Sequence, residues 1–189
     1  MVQFDSPSAL QAWLNSQNID TAQWGTSNAK TIQHLWREIQ REETSIRGCP
    51  PVRYVRVVEV RVLRHNAILI ETAQHFQDGR VRRRQRPPSE KLLADESYQT
   101  GAIRCLIEEV GVRAEEIRLH LETHAIRQFE IESPSYPNLK TQYEYHSVNA
   151  TVSGLPSVDF CALNVHGGPA DPVIAHEWSW QDESLVDST

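Results

Sequence analysis

The chain has 189 residues, of which 39% are hydrophobic and 23% charged, and its formal net charge is −6. This length and composition suit one globular domain, with or without a short extension, and exclude a mainly disordered or membrane-embedded chain. The acidic total opposes general nucleic-acid binding. Because no apolar run could span a bilayer and the start lacks a signal-peptide pattern, we expect a cytoplasmic protein without a membrane partner.

Two helices are predicted in the first fifty residues. The first starts at Ser6-Pro7 and carries its apolar residues on one face up to Leu14. The second follows from the helical spacing of the apolar residues in Ile32–Ile39. The segment Arg47–Pro51 combines Gly with paired Pro and therefore predicts a boundary. The predicted parts are a helical extension over 1–50, a domain over 51–182 and a tail over 183–189.

Beyond this boundary the chain consists mainly of strand-like stretches separated by turn signals such as Asp78-Gly79. Strands are predicted over Val52–Leu63, Ala67–Phe76, Arg80–Arg86, Ile117–His124, Ile126–Glu132, Gln142–Val152 and Val158–Val165. One helix is predicted over Tyr98–Val110, because its apolar residues repeat at helical spacing and Gly111 stands where a C-cap belongs. The stretch Ile174–Trp180 is either a strand or the start of a helix, and we expect Trp178 to serve packing.

Arginine occupies every second position of the third predicted strand, at residues 80, 82, 84 and 86. In an extended strand these four guanidinium groups project from one face. Two interpretations remain open. The run is either a solvated edge that discourages pairing with another strand, or a surface that contacts phosphate.

The segment with the clearest chemical pattern is 90–112. Glu96 lies eight positions before Arg104, and the sequence Arg104-Cys105-Leu106-Ile107-Glu108-Glu109-Val110-Gly111-Val112 follows. This segment resembles the Nudix box, whose pattern is G-x5-E-x7-R-E-U-x-E-E-x-G-U with U aliphatic. It departs from the pattern at Glu90, where the family has Gly, and at Cys105, where the family has Glu.

The spacing of the acidic residues has a physical meaning of its own. Positions 105, 108 and 109 share one helical face, so Glu108 and Glu109 converge there. Neighbouring carboxylates repel each other unless a cation neutralises them, and Mg²⁺ prefers such oxygen ligands. Cys105 suits this role poorly, because a thiol with a reference pKa of about 8.5 is mostly neutral and sulfur is a soft ligand.

The resemblance implies a fold and a reaction. The implied fold is α/β, a Nudix-type α/β/α sandwich with a mixed sheet, here with two additional N-terminal helices. The implied reaction is hydrolysis, dependent on Mg²⁺ or Mn²⁺, of a compound in which a nucleoside diphosphate is linked to another group. The implied roles are metal binding by Glu108 and Glu109, metal binding or support by Glu96, orientation of the carboxylates by Arg104, and compensation for Cys105 by Glu90.

Substrate contacts are expected outside the box. In the resembled fold the strand that enters the box borders the substrate cleft, so Arg84 and Arg86 are the nearest candidates. Tyr136 lies in the predicted loop 133–139 and is a candidate for stacking on a nucleobase.

Two alternatives to the hydrolase follow from the same residues. Because the box lacks one carboxylate, the chain is either a weakened hydrolase or a non-catalytic nucleotide-binding or regulatory module of the same fold. Two glutamates opposite an apolar stripe are also typical of an ordinary solvated helix face. A nucleotide-type small molecule is the expected partner, and a homodimer is compatible with the sequence.

Overall fold

The computed structural model describes residues 4–27, 29–165 and 172–186. Its helices are α1 (Pro7–Ser16), α2 (Ile32–Gln40), α3 (Tyr98–Cys105) and α4 (Glu183–Val186). Its strands are β1 (Ser45–Arg47), β2 (Val52–Arg64), β3 (Ala67–Phe76), β4 (Val81–Arg86), β5 (Ser89–Lys91), β6 (Ile117–Glu132), β7 (Lys140–Val152), β8 (Phe160–Leu163) and β9 (Val173–Asp182). A π-helical turn, Leu106–Val110, continues α3, and a 3₁₀ turn, Ala114–Glu116, precedes β6.

The strands of the described residues form an open, mixed sheet with the hydrogen-bonded order β6-β7-β2-β3-β9-β8. Strands β1 and β5 also pair with β2, and β4 pairs with β3. The predicted α/β class with a mixed sheet is confirmed, as are the two N-terminal helices. Within the described ranges, no helix has the length and apolar character needed to cross a membrane.

Most element bounds agree with the sequence pattern, and the differences have local causes. The two strands predicted on either side of Ala125 are one strand, β6, because ladder pairing with β7 outweighs the weak strand preference of alanine. Strands β1 and β5 were not predicted, since three residues are too few to show a periodicity. The open alternative over Ile174–Trp180 is settled as a strand, β9.

The chain divides into two compact units by its internal contacts. The first unit comprises Met1–Val57, Lys91–Glu96 and Ile126–Tyr145, and the second comprises Val58–Glu90, Ser97–Ala125 and His146–Thr189. Strands β2, β6 and β7 contribute residues to both units. The units therefore do not divide at residue 50, and the predicted division into 1–50 and 51–182 stays a prediction. Of the predicted tail, residues 183–186 form α4 and 187–189 lie outside the described residues.

The core of the first unit is built on the two N-terminal helices. Ser6 caps α1 by accepting a hydrogen bond from the N–H of Ala9 at 3.1 Å, and Thr31 caps α2 through the N–H of His34. The buried core residues are Phe4, Leu10, Leu14, Ile19, Leu35, Ile46, Tyr136 and Leu139. Each fully buried aliphatic or aromatic side chain of this kind stabilises the unit by roughly 1.5–3 kcal/mol.

The structure corrects the role predicted for Tyr136, which was stacking on a nucleobase. Its side chain is fully buried, and its ring lies 5.0 Å from that of Trp24, so no nucleobase can stack on it. The loop composition of 133–139 correctly indicates a turn, but that turn directs the large ring inward, where burial is favourable. Tyr136 is a core residue.

A buried carboxylate of the first unit, that of Glu38, forms ion pairs with three basic side chains. Glu38 accepts contacts from Lys30 at 2.7 Å, from Arg53 at 2.7 Å and from Lys91 at 3.0 Å. Burial by itself would raise the pKa of Glu38, but the positive charges of Lys91, Arg53 and Lys30 outweigh it and lower the pKa to about 2. The carboxylate is therefore more acidic in the folded chain than in the unfolded one.

This pKa shift predicts an acid-sensitive contribution to stability. A depressed folded-state pKa stabilises the fold above the ordinary value of 4.5, and the contribution is lost as the pH falls from 4.5 toward 2. The full contribution is about 3 kcal/mol for a shift of this size. Urea unfolding at stepped pH should show the stability difference between the natural chain and Glu38→Gln shrinking through this window. A difference that stays constant there would contradict the assignment.

Candidate functional site

The helix of the box is shorter than predicted and ends in a different geometry. Helix α3 starts at Tyr98, where Ser97 caps the N–H of Thr100 at 3.1 Å, and its regular part ends at Cys105. The turn Leu106–Val110 is π-helical, and Gly111 closes it with a left-handed φ of 78°. The predicted glycine C-cap is thus present. A π-helical turn is wider than an α-turn, so it changes the direction of the side chains after Cys105.

Cys105 is fully buried at the end of α3. Burial raises the pKa of its thiol well above the usual range, and the negative charges of Glu109 and Glu90 raise it further. A neutral, buried thiol can neither accept a proton from water nor ligate a hard cation. The position at which the resembled box carries a working carboxylate is therefore part of the core here.

Three glutamates of the second unit interact here, and two of them, Glu90 and Glu109, also act on this thiol. Burial raises the pKa of Glu109 well above its usual range, the neighbouring carboxylates of Glu90 and Glu71 raise it further, and Arg84 and the N–H of Ser89 lower it. We call Glu71, Glu90 and Glu109 the acid cluster. Its members come from β3, from β5 and from the π-helical turn.

Glu71 was not a candidate in the sequence analysis, and it is the most enclosed member of the acid cluster. It is 2% exposed, accepts a 2.7 Å ion pair from Nε of Arg84 and a 2.6 Å hydrogen bond from Nδ1 of His176. We call these three residues the Glu71 triad. A shift in strand register between Glu71 and Ala73 directs this part of β3, as β-bulges do near functional sites. The only feature of the sequence that points to Glu71 is its position as a single acidic residue in the mainly apolar stretch 67–73.

His176 is the second group that the sequence analysis did not assign to the site. It is 3% exposed, and its Nε2 makes no hydrogen bond to any described residue. Its neighbour Trp178 is also buried, and the indole N–H donates to the carbonyl oxygen of Glu109 at 3.2 Å. The packing role predicted for Trp178 is observed, and this hydrogen bond ties β9 to the end of the box helix.

The remaining predicted metal ligands lie in different settings. Glu108 is partly exposed and pairs with Arg104 at 3.3 Å, one helical turn earlier. Glu96 belongs to the first unit, where its carboxylate accepts a 3.1 Å hydrogen bond from the N–H of Leu93. The roles of Glu96, Glu108 and Arg104 at a metal stay predictions.

The arginine strand β4 forms a positive surface. Arg84 is directed to Glu71, Arg80 to Asp78 at 2.7 Å, and Arg83 to Glu177 at 3.8 Å. The partner of Arg82 is the uncharged amide of Gln74. Burial lowers the pKa of the Arg82 guanidinium, and the positive charges of Arg84, Arg86 and Arg80 lower it as well.

Of the five arginines on and beside β4, Arg80, Arg83 and Arg84 each form an ion pair. Arg82 and Arg86 form no ion pair with a carboxylate of the described residues, although the charge of Glu71 acts on Arg82. Arg86 is exposed. Arg84 is less available to contact a substrate than Arg82 or Arg86, because its guanidinium group is already paired with Glu71.

A magnesium ion does not fit these residues as they are arranged. Within the described ranges, no group of three or more His, Cys, Asp or Glu side chains is placed to hold a metal. The thiol of Cys105 is buried and neutral, Glu71 already has Arg84 and His176, and the raised pKa of Glu109 disfavours its charged form. The positive charge that the structure places against Glu71 is the guanidinium group of Arg84.

Comparison with known proteins gives matches among solved structures alone. No protein-family model matches the chain, and no curated protein matches it. It is similar to an Ap4A hydrolase from C. elegans, with 18% identity, 71% of this chain and 85% of that chain covered, and a TM-score of 0.36. It is similar to the Nudix hydrolase RenU from M. smegmatis, with 16% identity, coverage of 76% and 82%, and a TM-score of 0.38.

A third similar structure is a hydrolase of the NUDIX family from Clostridium perfringens, with 12% identity, coverage of 71% and 85%, and a TM-score of 0.40. At these identities and TM-scores the similarity assigns neither a substrate nor a metal to this chain. The solved structures to which the chain is similar include several hydrolases of the Nudix family, the family whose box its residues 90–112 resemble.

Proposed function

We propose that this chain is a Nudix-like module that binds a phosphate-bearing, nucleotide-type small molecule and has lost efficient Mg²⁺-dependent hydrolysis. The observation that supports ligand binding is the surplus of positive charge on β4, in a chain whose net charge is −6. Two guanidinium groups that form no ion pair, those of Arg82 and Arg86, match the charge of a diphosphate. The planar donors of arginine suit phosphate oxygens in pairs.

Arg82 and Arg86 are the proposed phosphate contacts. They lie two residues before and two residues after Arg84, whose guanidinium group is held by Glu71. The proposed substrate contacts therefore keep Arg86 from the sequence analysis and replace Arg84 by Arg82. In this proposal Arg84 acts on the ligand only through the shape and charge of the strand.

The loss of reaction is supported by the acids of the box. Efficient hydrolysis of a phosphoanhydride requires a positioned base and a cation that stabilises the developing charge. Cys105 cannot serve as the base, Glu71 is already held by Arg84 and His176, and burial raises the pKa of Glu109. Loss of a positioned base alone typically lowers the rate by about 10²–10⁴.

One observation favours the second candidate, a weak Mg²⁺-dependent hydrolase. Burial raises the pKa of Glu109, and the negative charge of Glu90 raises it further. A divalent cation would relieve that repulsion, and Glu90 stands at the position proposed to compensate for Cys105. Because the described residues do not form a metal site as arranged, this candidate requires the acid cluster to rearrange when a cation binds.

The binding proposal is tested by calorimetry with ADP-ribose, a nucleoside diphosphate linked to a sugar. Arg82→Ala and Arg86→Ala are each expected to weaken binding about tenfold, which corresponds to one charge-assisted hydrogen bond. Arg118→Ala, which changes an exposed arginine on β6 in the same unit, is the matched control and should leave the affinity unchanged. Raised salt should weaken the natural chain more than either β4 variant.

Equal affinity in all three variants would overturn the assignment to β4. Turnover is measured in parallel with a dinucleotide, a nucleotide sugar and a nucleoside triphosphate, each with Mg²⁺ and with Mn²⁺. Binding without turnover supports the module. Metal-dependent turnover by the natural chain would instead establish the hydrolase.

A further inference from the structure

The first unit contains a cavity that lies entirely within its own residues. Its volume is about 260 Å³, just below the ~300–1,000 Å³ that is typical of small-molecule sites. Its walls come from the segment 42–45 after α2, from β1 and β2, and from the segment 92–95 after β5. None of the residues considered for phosphate binding lines it.

The walls of this cavity are held rigidly by polar contacts. Tyr54 donates its hydroxyl proton to Glu144 at 2.8 Å, and Nε of Arg56 donates to the same carboxylate at 3.1 Å. The terminal nitrogen Nη1 of Arg56 also donates to the carbonyl oxygens of residues 93, 94 and 96. Because Arg56 bonds to Glu144 through Nε and to the segment after β5 through Nη1, these contacts tie that segment to β2.

One side chain already occupies the aromatic surface of the cavity. The guanidinium carbon of Arg47 lies 3.4 Å from the centre of the Tyr54 ring, which is the geometry of a cation–π contact. Arg47 is exposed, and its Nε donates a long hydrogen bond of 3.3 Å to the hydroxyl of Ser45. The ring face therefore accepts a planar cation, and the cation that it holds is supplied by a weakly restrained side chain.

The charge around this ring favours more cation than Arg47 provides. Three carboxylates, Glu42, Glu43 and Asp95, line the cavity. Glu43 pairs with Lys91 at 3.1 Å, whereas Glu42 and Asp95 are exposed and form no ion pair with another described residue. Arg56 also lines the cavity, but its charge is paired with Glu144. Glu42 and Asp95 thus remain beside one further guanidinium group, that of Arg47, and an added positive charge lowers the electrostatic energy of the rim.

We infer that this cavity is a binding site for a small organic cation, of guanidinium or amine type, which displaces Arg47 from the face of Tyr54 and pairs with Glu42 and Asp95. Arg47 then acts as an internal competitor for the site. The recognised chemistry is that of a basic side chain or a free polyamine. The inference concerns the first unit alone and does not depend on the function proposed for β4.

The test is calorimetric titration of the full chain with agmatine, which carries a guanidinium and an ammonium group. Arg47→Ala frees the ring and is expected to tighten agmatine binding about two- to fivefold, the effect of one exposed cation–π contact. Tyr54→Leu and Asp95→Asn are expected to weaken it by at least the same factor. Asp20→Asn, which changes an exposed carboxylate of the same unit outside the cavity, serves as the matched control, with binding retained.

Two further probes define the chemistry of the site. n-Butylurea has the shape of the guanidinium end without its charge and should not bind measurably. Inorganic phosphate tests whether Arg47 forms an anion site instead. Binding of phosphate without agmatine, equal binding of n-butylurea, or failure of Arg47→Ala to tighten agmatine binding would each overturn the inference. Arg47 and Asp95 are exposed, so these two variants are expected to fold, and circular dichroism checks that they do.

Discussion

Replacing Glu71 by glutamine is expected to lower the free energy of unfolding by about 2–4 kcal/mol. Breaking a buried ion pair usually costs about 3–5 kcal/mol, and relief of the repulsion between Glu71 and Glu109 offsets part of that cost. The substitution keeps the size of the side chain and removes the negative charge. Arg84 then loses its 2.7 Å ion pair, and His176 loses the charge-assisted 2.6 Å hydrogen bond to its Nδ1. Urea unfolding of the variant and of the natural chain gives the difference directly.

The chain offers a matched control for this experiment at Glu177. Its carboxylate also lies 2.6 Å from a histidine, His75, but its side chain is 39% exposed, whereas that of Glu71 is 2% exposed. Glu177→Gln should cost no more than about 1 kcal/mol, because exposed ion pairs are weak. A similar loss of unfolding free energy in both variants would show that burial does not determine how much the Glu71 triad stabilises the fold.

A second large effect is expected when Cys105 is replaced by glutamate. The new carboxylate would enter a fully buried position beside Glu90, Glu108 and Glu109, where it is repelled and poorly solvated. We expect a stability loss of roughly 3 kcal/mol or more without metal. Added Mg²⁺ should recover part of the melting temperature of Cys105→Glu, while leaving that of the natural chain unchanged.

Cys105→Gln is the control for this second prediction, since it adds the same volume without the charge. Its melting temperature should fall because of overpacking and should not respond to Mg²⁺. If Mg²⁺ stabilises the glutamate variant and that variant hydrolyses a nucleotide substrate, the natural chain has a catalytic cleft that lacks one carboxylate. If Mg²⁺ affects both variants equally, or stabilises the natural chain, the idea that Cys105 breaks the metal site is contradicted.

Much of the architecture was predictable because its signals are local. The capped start of α1, the apolar spacing of α3, the glycine C-cap at Gly111 and the alternating arginines of β4 are set by neighbours a few residues apart. Such patterns reflect backbone preferences and side-chain periodicity, which act in any chain that contains them. The α/β class and the two N-terminal helices follow from them.

The candidate site was only partly predictable, because its partners are distant in sequence. Glu71 and His176 are 105 residues apart, and neither spacing nor composition connects them. The register shift in β3 and the π-helical turn after Cys105 come from strand pairing and helix packing. For the same reason the sequence could not reveal that Tyr136 is buried and Arg84 is held by Glu71.

The sequence by itself therefore determined most of the elements, the turn signals, the resemblance of residues 90–112 to a Nudix box and the absence of a carboxylate at Cys105. Only the tertiary structure decided that Cys105 lies in the core, that Glu71 joins Glu90 and Glu109, and which arginines of β4 lack a carboxylate partner among the described residues. The physical reason is that desolvation and ion pairing depend on which distant groups the fold brings within a few ångströms, and local sequence does not contain that information.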